Sequence, residues 1–424
     1  MRIRRFNIYI MAAFFIISAV SCYTSNQTTP KPKNKNLAYI YNPHFRTVNL
    51  EYFVNHIDDE NSKIYARIKS NELFFIKSTV SDGQFADIKF KYRVYNSFSS
   101  KQIVDSATLI LNFRKDLISD TIEVELPIKI KRDSTYSAKI IFTDLNRERK
   151  ETDYIFIDKK SRYTTQNFLV ENEKNKTLVF DRIIKSNTDY KIENSRVKQK
   201  EFFVSYYSAK FHPAFLPFST QVKNIDLNPD SVFLINGNLN INKNGLFFMR
   251  ADTNISKGIS LLNFTPNYPS LKTPEELLEP LRYITSSSEF KKLKNNPSKK
   301  LAVDKFWLNI TGNKNRAREL IKIYYTRVKL ANIYFTSYKE GWKTDRGMIF
   351  TVFGAPTIVY KSDKYEKWIY GENQTNAGLV FLFEKKTKFF SDIDYELHRN
   401  QVYKTTWYQA VDVWRNGRAF TVVN

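Results

Sequence analysis

Thr344 and Asp345 are adjacent residues whose side chains could serve in catalysis, one as a nucleophile and the other as a general acid. A threonine nucleophile needs a base beside it, and an acid of this kind needs a second carboxylate or an electrophile. The histidines that could supply a base are scattered and form no HxxxH or HExxH spacing. They are His44, His56, His212 and His398. The sequence therefore gives no catalytic constellation, although residues that are distant in sequence can still meet in a fold.

The other common catalytic and metal-binding patterns are also missing from the sequence. It contains no glycine-rich phosphate loop, no G-x-S-x-G segment and no cluster with metal-ligand spacing. Its single cysteine, Cys22, leaves the rest of the chain without a thiol nucleophile or a disulfide. We therefore expect no catalytic residues, no metal ion and no cofactor.

The residues around Thr344 also have structural explanations that need no chemistry. Gly341 suits the left-handed residue that ends a helix, where a Cβ atom would clash. Trp342 could then fold back over the helix and bury a large area. Thr344 and Asp345 could accept hydrogen bonds from free backbone N–H groups. These residue types predict a tight turn.

We predict that this turn leads into a buried strand. Arg346 could pair with Asp345 at the surface, where an ion pair contributes less than about 1 kcal/mol. Gly347 would let the chain enter the apolar run over residues 348–353, which we interpret as the strand.

Residues 270–340 carry the signals of several helices. Thr273-Pro274-Glu275-Glu276 combines an N-cap hydroxyl, a proline and a glutamate in the spacing of a capping box. In a longer helix before Gly341, apolar residues are three or four positions apart and so form one stripe. They are Ala317, Ile321, Tyr324, Val328, Ala331 and Phe335. We expect this stripe to pack within the chain; a helix that binds a partner is the alternative.

The motif Gly341-Trp342-Lys343-Thr344-Asp345-Arg346-Gly347 resembles the GWxTD domain family. The resemblance covers roughly residues 273–385, with Ala355 where many members have a proline. The residues to which we assign a structural or interaction role are called the motif residues. They are Gly341, Trp342, Thr344, Asp345, Arg346, Gly347, Gly354, Pro356 and Trp368. The resemblance implies a small α/β domain and no settled biochemical activity.

The beginning of the chain has the composition of an export signal. Arg2, Arg4 and Arg5 precede an apolar run over residues 8–20, which is too short to span a hydrocarbon core of roughly 30 Å. We expect residues 1–21 to be a signal peptide.

Ala19-Val20-Ser21-Cys22 resembles the lipobox of bacterial lipoproteins, although Ala19 stands where leucine is usual. In that motif the cysteine becomes the acylated first residue of the mature protein. We expect Cys22 to carry lipid, including palmitate, with a plain secretory signal as the alternative.

We expect a multidomain α+β fold after this signal. Residues 22–36 are polar and typical of a flexible tether. Runs of alternating apolar and polar residues predict β-sandwich-like domains over residues 37–160 and 161–264. A helical segment over residues 270–340 then leads to a small α/β domain over residues 341–424.

One segment of the second β region breaks the alternation. Residues 212–218 are apolar, but their prolines exclude a central strand. We expect the segment to pack over a sandwich edge, with an exposed contact surface as the alternative.

The net charge of +24 suggests an anionic partner such as lipid headgroups or lipopolysaccharide phosphates. A compositional bias towards lysine is the alternative, and no nucleic acid is expected outside the cytoplasm.

We expect a non-enzymatic lipoprotein on the periplasmic face of the outer membrane, held there by its lipid anchor. Its β domains would extend the C-terminal domain towards a protein partner in an assembly or secretion machine. Residues 354–383 are also similar, in a Gly-x-Pro followed by Trp-x-Tyr and a strand that ends in aromatic residues, to the small lipoprotein subunit of the β-barrel assembly machine. The alternative is a glycan- or peptidoglycan-handling protein, such as a hydrolase.

Replacing the predicted lipid-bearing residue tests the anchor directly. We expect the Cys22→Ser variant to lose metabolic labelling by a fatty-acid probe, because serine offers no thiol for diacylglycerol. An unlabelled wild-type protein, or a variant that stays just as firmly bound to membranes, would contradict the prediction.

Overall fold

The computed structural model describes residues 35–79, 82–197, 200–208, 211–220, 228–371, 378–388 and 390–421. The predicted signal peptide and Cys22 lie outside the described residues. Within these ranges, no helix combines the length and the apolar character needed to cross a membrane. The fold is of the mixed α+β class, as the sequence predicts, with most helices after residue 273.

The first β region contains two antiparallel sheets. Its strands are β1 (Glu51–His56), β2 (Asn61–Lys69), β3 (Ile76–Lys77), β4 (Gln84–Tyr95), β5 (Ile103–Arg114), β6 (Thr121–Lys129), β7 (Thr135–Asp144) and β8 (Arg149–Asp158). One sheet has the order β1-β2-β6, and the other has the order β3-β4-β7-β8 with β5 also paired to β4. Buried residues of both sheets form one apolar core. The region is therefore a two-layer sandwich.

The predicted alternation decides which side chains enter this core. In β4, Ile88, Phe90 and Val94 are almost completely buried. In β6, buried and exposed residues alternate strictly from Thr121 to Lys129. Because successive side chains of a strand point to opposite faces, each run buries one face and leaves the other in solvent. The predicted alternation is confirmed in both strands.

A chain of buried polar groups holds the end of β8. The Lys159 ammonium donates hydrogen bonds to the Ser62 hydroxyl at 2.9 Å and to two backbone carbonyls at 3.1 and 2.9 Å. Ser62 Oγ also lies 2.9 Å from Nδ1 of His56, whose Nε2 lies 3.0 Å from the Asp158 carbonyl oxygen. A carbonyl only accepts, so Nε2 carries the hydrogen. Burial lowers the pKa of His56 to about 4 and the pKa of Lys159 to about 8.

The second β region also has two sheets. Its strands are β9 (Phe168–Asn172), β10 (Asp189–Asn194), β11 (Phe202–Ser208), β12 (Ser231–Ile235), β13 (Asn238–Asn240), β14 (Gly245–Arg250) and β15 (Ile259–Asn263). The sheets have the orders β13-β10-β9 and β12-β11-β14-β15, and residues from both form a second apolar core.

The second of these sheets is also covered on its outer face. Leu246, Phe248 and Leu262 pack there against Tyr338 and Phe390 from the C-terminal part of the chain. Since β14 and β15 are buried on both faces, their sequences are apolar without alternation. The second β region and the C-terminal part therefore share a packed interface.

The C-terminal part combines helices with an antiparallel sheet of the order β16-β17-β18-β19. The helices are α1 (Pro274–Leu278), α2 (Ser287–Asn295), α3 (Lys299–Thr311), α4 (Lys314–Phe335), α5 (Asp345–Phe353) and α6 (Tyr403–Arg415). The strands are β16 (Ile358–Lys361), β17 (Tyr365–Tyr370), β18 (Leu379–Lys388) and β19 (Ser391–Leu397). Short 3₁₀ helices are Ala38–Tyr41, Pro43–Phe45, Ser70–Glu72, Thr165–Asn167, Glu279–Tyr283 and Gly341–Lys343.

One apolar core runs through this whole part of the molecule. The predicted stripe of α4 is buried in it, apart from Ile321, which is partly buried and packs against it. Thr273 forms the predicted capping box at the start of α1. The predicted boundary between residues 340 and 341 passes through this core, so the helices and the sheet fold around the same side chains.

The last residue of the predicted tether, Asn36, and the segment that follows it contact the C-terminal sheet. The Leu37 N–H donates to the Val359 carbonyl at 2.8 Å, and Asn36 Nδ2 donates to the Thr357 carbonyl at 3.1 Å. Tyr41 is buried against the end of α4. Asn36 and Leu37, which precede the β domains in the chain, therefore lie beside the C-terminal sheet.

The apolar segment at residues 212–218 also packs on the C-terminal part. The Ala214 N–H donates to the Lys343 carbonyl at 2.8 Å, and the Phe218 ring contacts Tyr408. The expected packing over a sandwich edge is therefore wrong. Side chains of this segment instead cover one side of the large C-terminal core.

The buried imidazole of His56 predicts a pH dependence of stability. Unfolded histidine takes up a proton near pH 6.5, whereas the buried ring resists protonation until about pH 4. Stability is therefore fully present above pH 6.5, and we expect it to fall by about 3 kcal/mol as the pH decreases to 4. Chemical denaturation at a series of pH values measures this.

The His56→Gln variant should lose this part of the pH dependence, and the exposed-site control His398→Gln should keep it. Equal slopes for the wild type and His56→Gln would contradict the prediction.

Candidate functional site

The motif residues connect α4 to α5 by way of the 3₁₀ turn Gly341–Lys343. Thr344 is the N-cap of α5, since its hydroxyl accepts a hydrogen bond from the Gly347 N–H at 3.1 Å. The same hydroxyl donates to the Gly341 carbonyl at 2.7 Å. The Thr344 side chain therefore ties the turn to the helix that follows.

The prediction of a strand over residues 348–353 is wrong, because these residues belong to α5. The helix is buried on every side, so its sequence is apolar without the 3.6-residue period that would identify a surface helix. The cap at Thr344 and the acidic Asp345 in the first turn are the local signals of this helix.

Gly341 and Gly347 are required by close backbone contacts. A Cβ atom on Gly341 would lie 2.0 Å from the Ala331 carbonyl oxygen of α4. A Cβ atom on Gly347 would lie 1.8 Å from the Gly341 carbonyl oxygen. The φ angle of Gly341 is not positive, so the predicted left-handed helix end is wrong. The two glycines instead let α4, the turn and α5 touch backbone to backbone.

Asp345 joins the start of α5 to the end of the C-terminal sheet. Its carboxylate accepts a hydrogen bond from the Leu397 N–H at 2.7 Å and pairs with Arg399 at 2.5 Å. The predicted pair of Asp345 with Arg346 is wrong, because adjacent residues of a helix do not face each other.

Arg346 points into the core and pairs with the buried Glu366 at 3.2 Å. Glu366 also accepts hydrogen bonds from the Tyr41 hydroxyl at 2.5 Å and from the Trp368 indole at 2.7 Å. Burial by itself would raise the pKa of Glu366, but Lys361 and Arg346 hold the pKa of this carboxyl below its ordinary value. Every polar neighbour of Glu366 thus favours its charged form.

The remaining motif residues close the other side of the core. Gly354 has a φ angle of +84° and its carbonyl accepts a hydrogen bond from the Tyr370 hydroxyl at 2.8 Å. Pro356 is buried, and Trp368 is fully buried against Phe335 and other rings. These three residues therefore have packing roles in the described structure.

A pocket of about 420 Å³ lies beside the motif. Its walls come from the start of α1, the segment before it, residues 211–213 and the turn at Trp342. Among the described residues that line it, Trp342 is the one motif residue, whereas Thr344, Asp345 and Arg346 point elsewhere. The motif's polar groups are therefore used inside the fold and not in the pocket.

The pocket combines aromatic rings with both signs of charge. Glu279 pairs with Lys294 at 3.0 Å, and Glu340 pairs with Lys343 at 2.7 Å. Glu275 is exposed at the edge of the pocket. Such a surface fits a ligand that is itself partly apolar and carries charged groups. No group of three metal-ligating side chains is found in the part of the chain that the structure describes.

Sequence reasoning missed this pocket. Its carboxylates come from residues 275–279 and from Glu340, its aromatic wall includes the segment at residues 211–213, and its floor is the motif turn. Each piece has a signal in the sequence, but nothing in the sequence shows that they meet.

The family model of the GWxTD domain matches residues 245–416. The match is longer at both ends than the resemblance seen in the sequence, which covers residues 273–385. It begins at the first residue of β14, a strand that packs against the C-terminal part. No curated protein matches the chain.

The close backbone contact predicts a large cost for adding one methyl group. We expect Gly347→Ala to lower the free energy of unfolding by about 3 kcal/mol or more, because its Cβ atom would overlap the Gly341 carbonyl. Denaturation followed by tryptophan fluorescence measures this, since Trp342 is buried nearby.

Gly312→Ala is the matched control. Its Cβ atom would meet open space, and only the positive φ angle opposes it, at a cost of about 1 kcal/mol. If Gly347→Ala and Gly312→Ala lowered the free energy of unfolding equally, the close backbone contact at Gly347 would not be the cause of the loss.

Proposed function

Since the chain is a GWxTD domain-containing protein, we propose that it is a non-enzymatic, lipid-anchored protein of the outer membrane that binds a protein partner. The partner would belong to an envelope assembly or secretion machine, and the protein would act as its scaffold or accessory subunit. The lipid on Cys22 would keep the protein at the periplasmic face.

The observation that carries the non-enzymatic part of the proposal is the use of the motif's polar groups. The Thr344 hydroxyl, the Asp345 carboxylate and the Arg346 guanidinium all bind groups within the chain. A catalytic group has to reach a substrate, whereas these groups are buried and satisfied. Their arrangement supports a motif that builds a rigid domain for binding.

The position of Asn36 and Leu37 indicates which domain would lie near the membrane and bind a partner there. Asn36 and Leu37 bind β16 and the residue before it, so lipid on Cys22 would be joined to the C-terminal domain by a short segment. The proposed partner would therefore be bound close to the membrane by this domain.

The pocket beside Trp342 is the proposed contact point for the partner. It offers aromatic surface together with an exposed carboxylate at Glu275 and the paired charges of Glu340 and Lys343. A peptide segment with an apolar side chain next to a basic one would match these groups.

The pocket also favours a second candidate, a glycan- or peptidoglycan-handling protein. Carboxylates beside aromatic rings are the groups that bind and hydrolyse sugars. Trp342, Trp368 and Asp345 are themselves buried, and Asp345 and Trp368 are hydrogen-bonded within the chain, which weighs against a hydrolase that uses them. Only the rim carboxylates would remain for such a role.

Affinity purification from detergent-solubilised envelopes tests the proposal. We expect the tagged full chain to recover an envelope protein in a fixed ratio, and Glu275→Lys to reduce the recovery at least about tenfold, as the loss of one interfacial charge pair would do. Glu60→Lys, an equal charge change at an exposed site of the first sandwich, should have no effect.

Recovery of the tagged protein without any envelope protein would contradict the scaffold proposal. Retention on isolated peptidoglycan that Glu275→Lys abolishes would favour the second candidate instead.

A further inference from the structure

The exposed side of α4 carries a row of cations. At 3.6 residues per turn, the side opposite the buried stripe is occupied by Arg318, Lys322 and Lys329, with Glu319 as its one acidic residue. Ile333, which is 52% exposed, ends the row near the C-terminus of the helix. The sequence by itself showed only that these residues lie off the apolar stripe.

These three cations differ from several charged residues of the helical part that are paired. Lys294, Lys300 and Arg415 each lie within 3.0 Å of a carboxylate. In the described part of the chain, no acidic side chain lies within ion-pair distance of Arg318, Lys322 or Lys329. Their charge is therefore available to a partner.

The row ends close to the place where the tether joins the fold. The Tyr41 ring lies 5.6 Å from the ring of Tyr334, the neighbour of Ile333. Asn36 is five residues from Tyr41, so the two are no more than about 18 Å apart. The fourteen residue steps from Cys22 to Asn36 have a maximum reach of about 50 Å. Lipid on Cys22 and the row on α4 can therefore meet the same bilayer.

We propose that the exposed face of α4, defined by Arg318, Lys322, Lys329 and Ile333, docks on the anionic phospholipid surface to which the chain is anchored. The proposal rests on the proposed lipid anchor and adds an orientation to it. The helix would lie along the membrane, with its cations at the headgroup phosphates and Ile333 at the acyl boundary.

A bilayer fits this face better than a soluble anion does. The cations follow one side of a 22-residue helix that is about 33 Å long, which makes a nearly straight row and no concave site. Exposed isoleucines, Ile323 at 41% and Ile333 at 52%, flank the charges. Basic residues interleaved with aliphatic ones are typical of helices that lie in a membrane interface.

A fluorescent probe at the end of the row tests the orientation. The full-length lipidated protein is prepared as Ile333→Cys, where the new thiol is the only free one because Cys22 is acylated. An environment-sensitive dye is attached, and the protein is reconstituted into vesicles of phosphatidylcholine with or without phosphatidylglycerol. We expect a blue shift in the vesicles with phosphatidylglycerol, which added salt reverses.

Charge reversal gives the matched comparison. Each basic residue near an anionic surface strengthens binding about fivefold, so reversing three should weaken docking at least about a hundredfold. We expect the triple variant Arg318→Glu, Lys322→Glu, Lys329→Glu to lose the blue shift. Reversing Lys91, Lys129 and Lys131 on the first sandwich changes the net charge equally and should leave it intact. A dye at Ile110→Cys should stay in water throughout.

The outcomes separate this inference from the lipid anchor. A protein that floats with the vesicles while the dye at position 333 stays in water overturns the docking and leaves the anchor standing. A protein that fails to float overturns both. An equal shift in pure phosphatidylcholine, a shift that needs lipopolysaccharide, or an unchanged shift in the α4 triple variant overturns the proposed docking on anionic phospholipid.

Discussion

At the junction of α4, the 3₁₀ turn and α5, three backbone segments approach one another with no side chain between them. Gly341 faces the Ala331 carbonyl and Gly347 faces the Gly341 carbonyl, each at a distance that no Cβ atom could enter. This contact sets the direction of α5, and α5 in turn presents Asp345 to the end of β19 and Arg346 to Glu366. The positions of the surrounding elements follow from it.

Buried charged side chains beside this junction form ion pairs and hydrogen bonds between elements that are distant in sequence. Removing one partner of a buried pair is costly, about 3–5 kcal/mol, because the other charge is left without compensation. Arg346 and Glu366 therefore hold α5 against β17, and the Tyr41 hydroxyl brings the beginning of the described chain into the same cluster. One set of interactions thus joins the motif, the sheet and the segment that follows the tether.

The two sandwiches are built differently from each other. The first has a single core between two sheets, whereas the second has cores on both faces of its larger sheet, one of them shared with Tyr338 and Phe390. The second sandwich is therefore packed firmly onto the C-terminal part. The family match starts within this second sandwich, at Gly245.

The sequence by itself determined the local structure wherever one face of a helix or strand is buried and the other is exposed to solvent. The alternation in β4 and β6 and the stripe on α4 are confirmed because burial leaves a period in the residues. The capping box at Thr273 is confirmed because its hydrogen bonds join residues three positions apart. Only the tertiary structure decided the rest. The helix α5 is buried on all sides and has no period, Asp345 and Arg346 find partners 54 and 20 residues away, and the pocket beside Trp342 collects walls from separate segments. Such contacts depend on which surfaces meet, and no spacing along the chain encodes that.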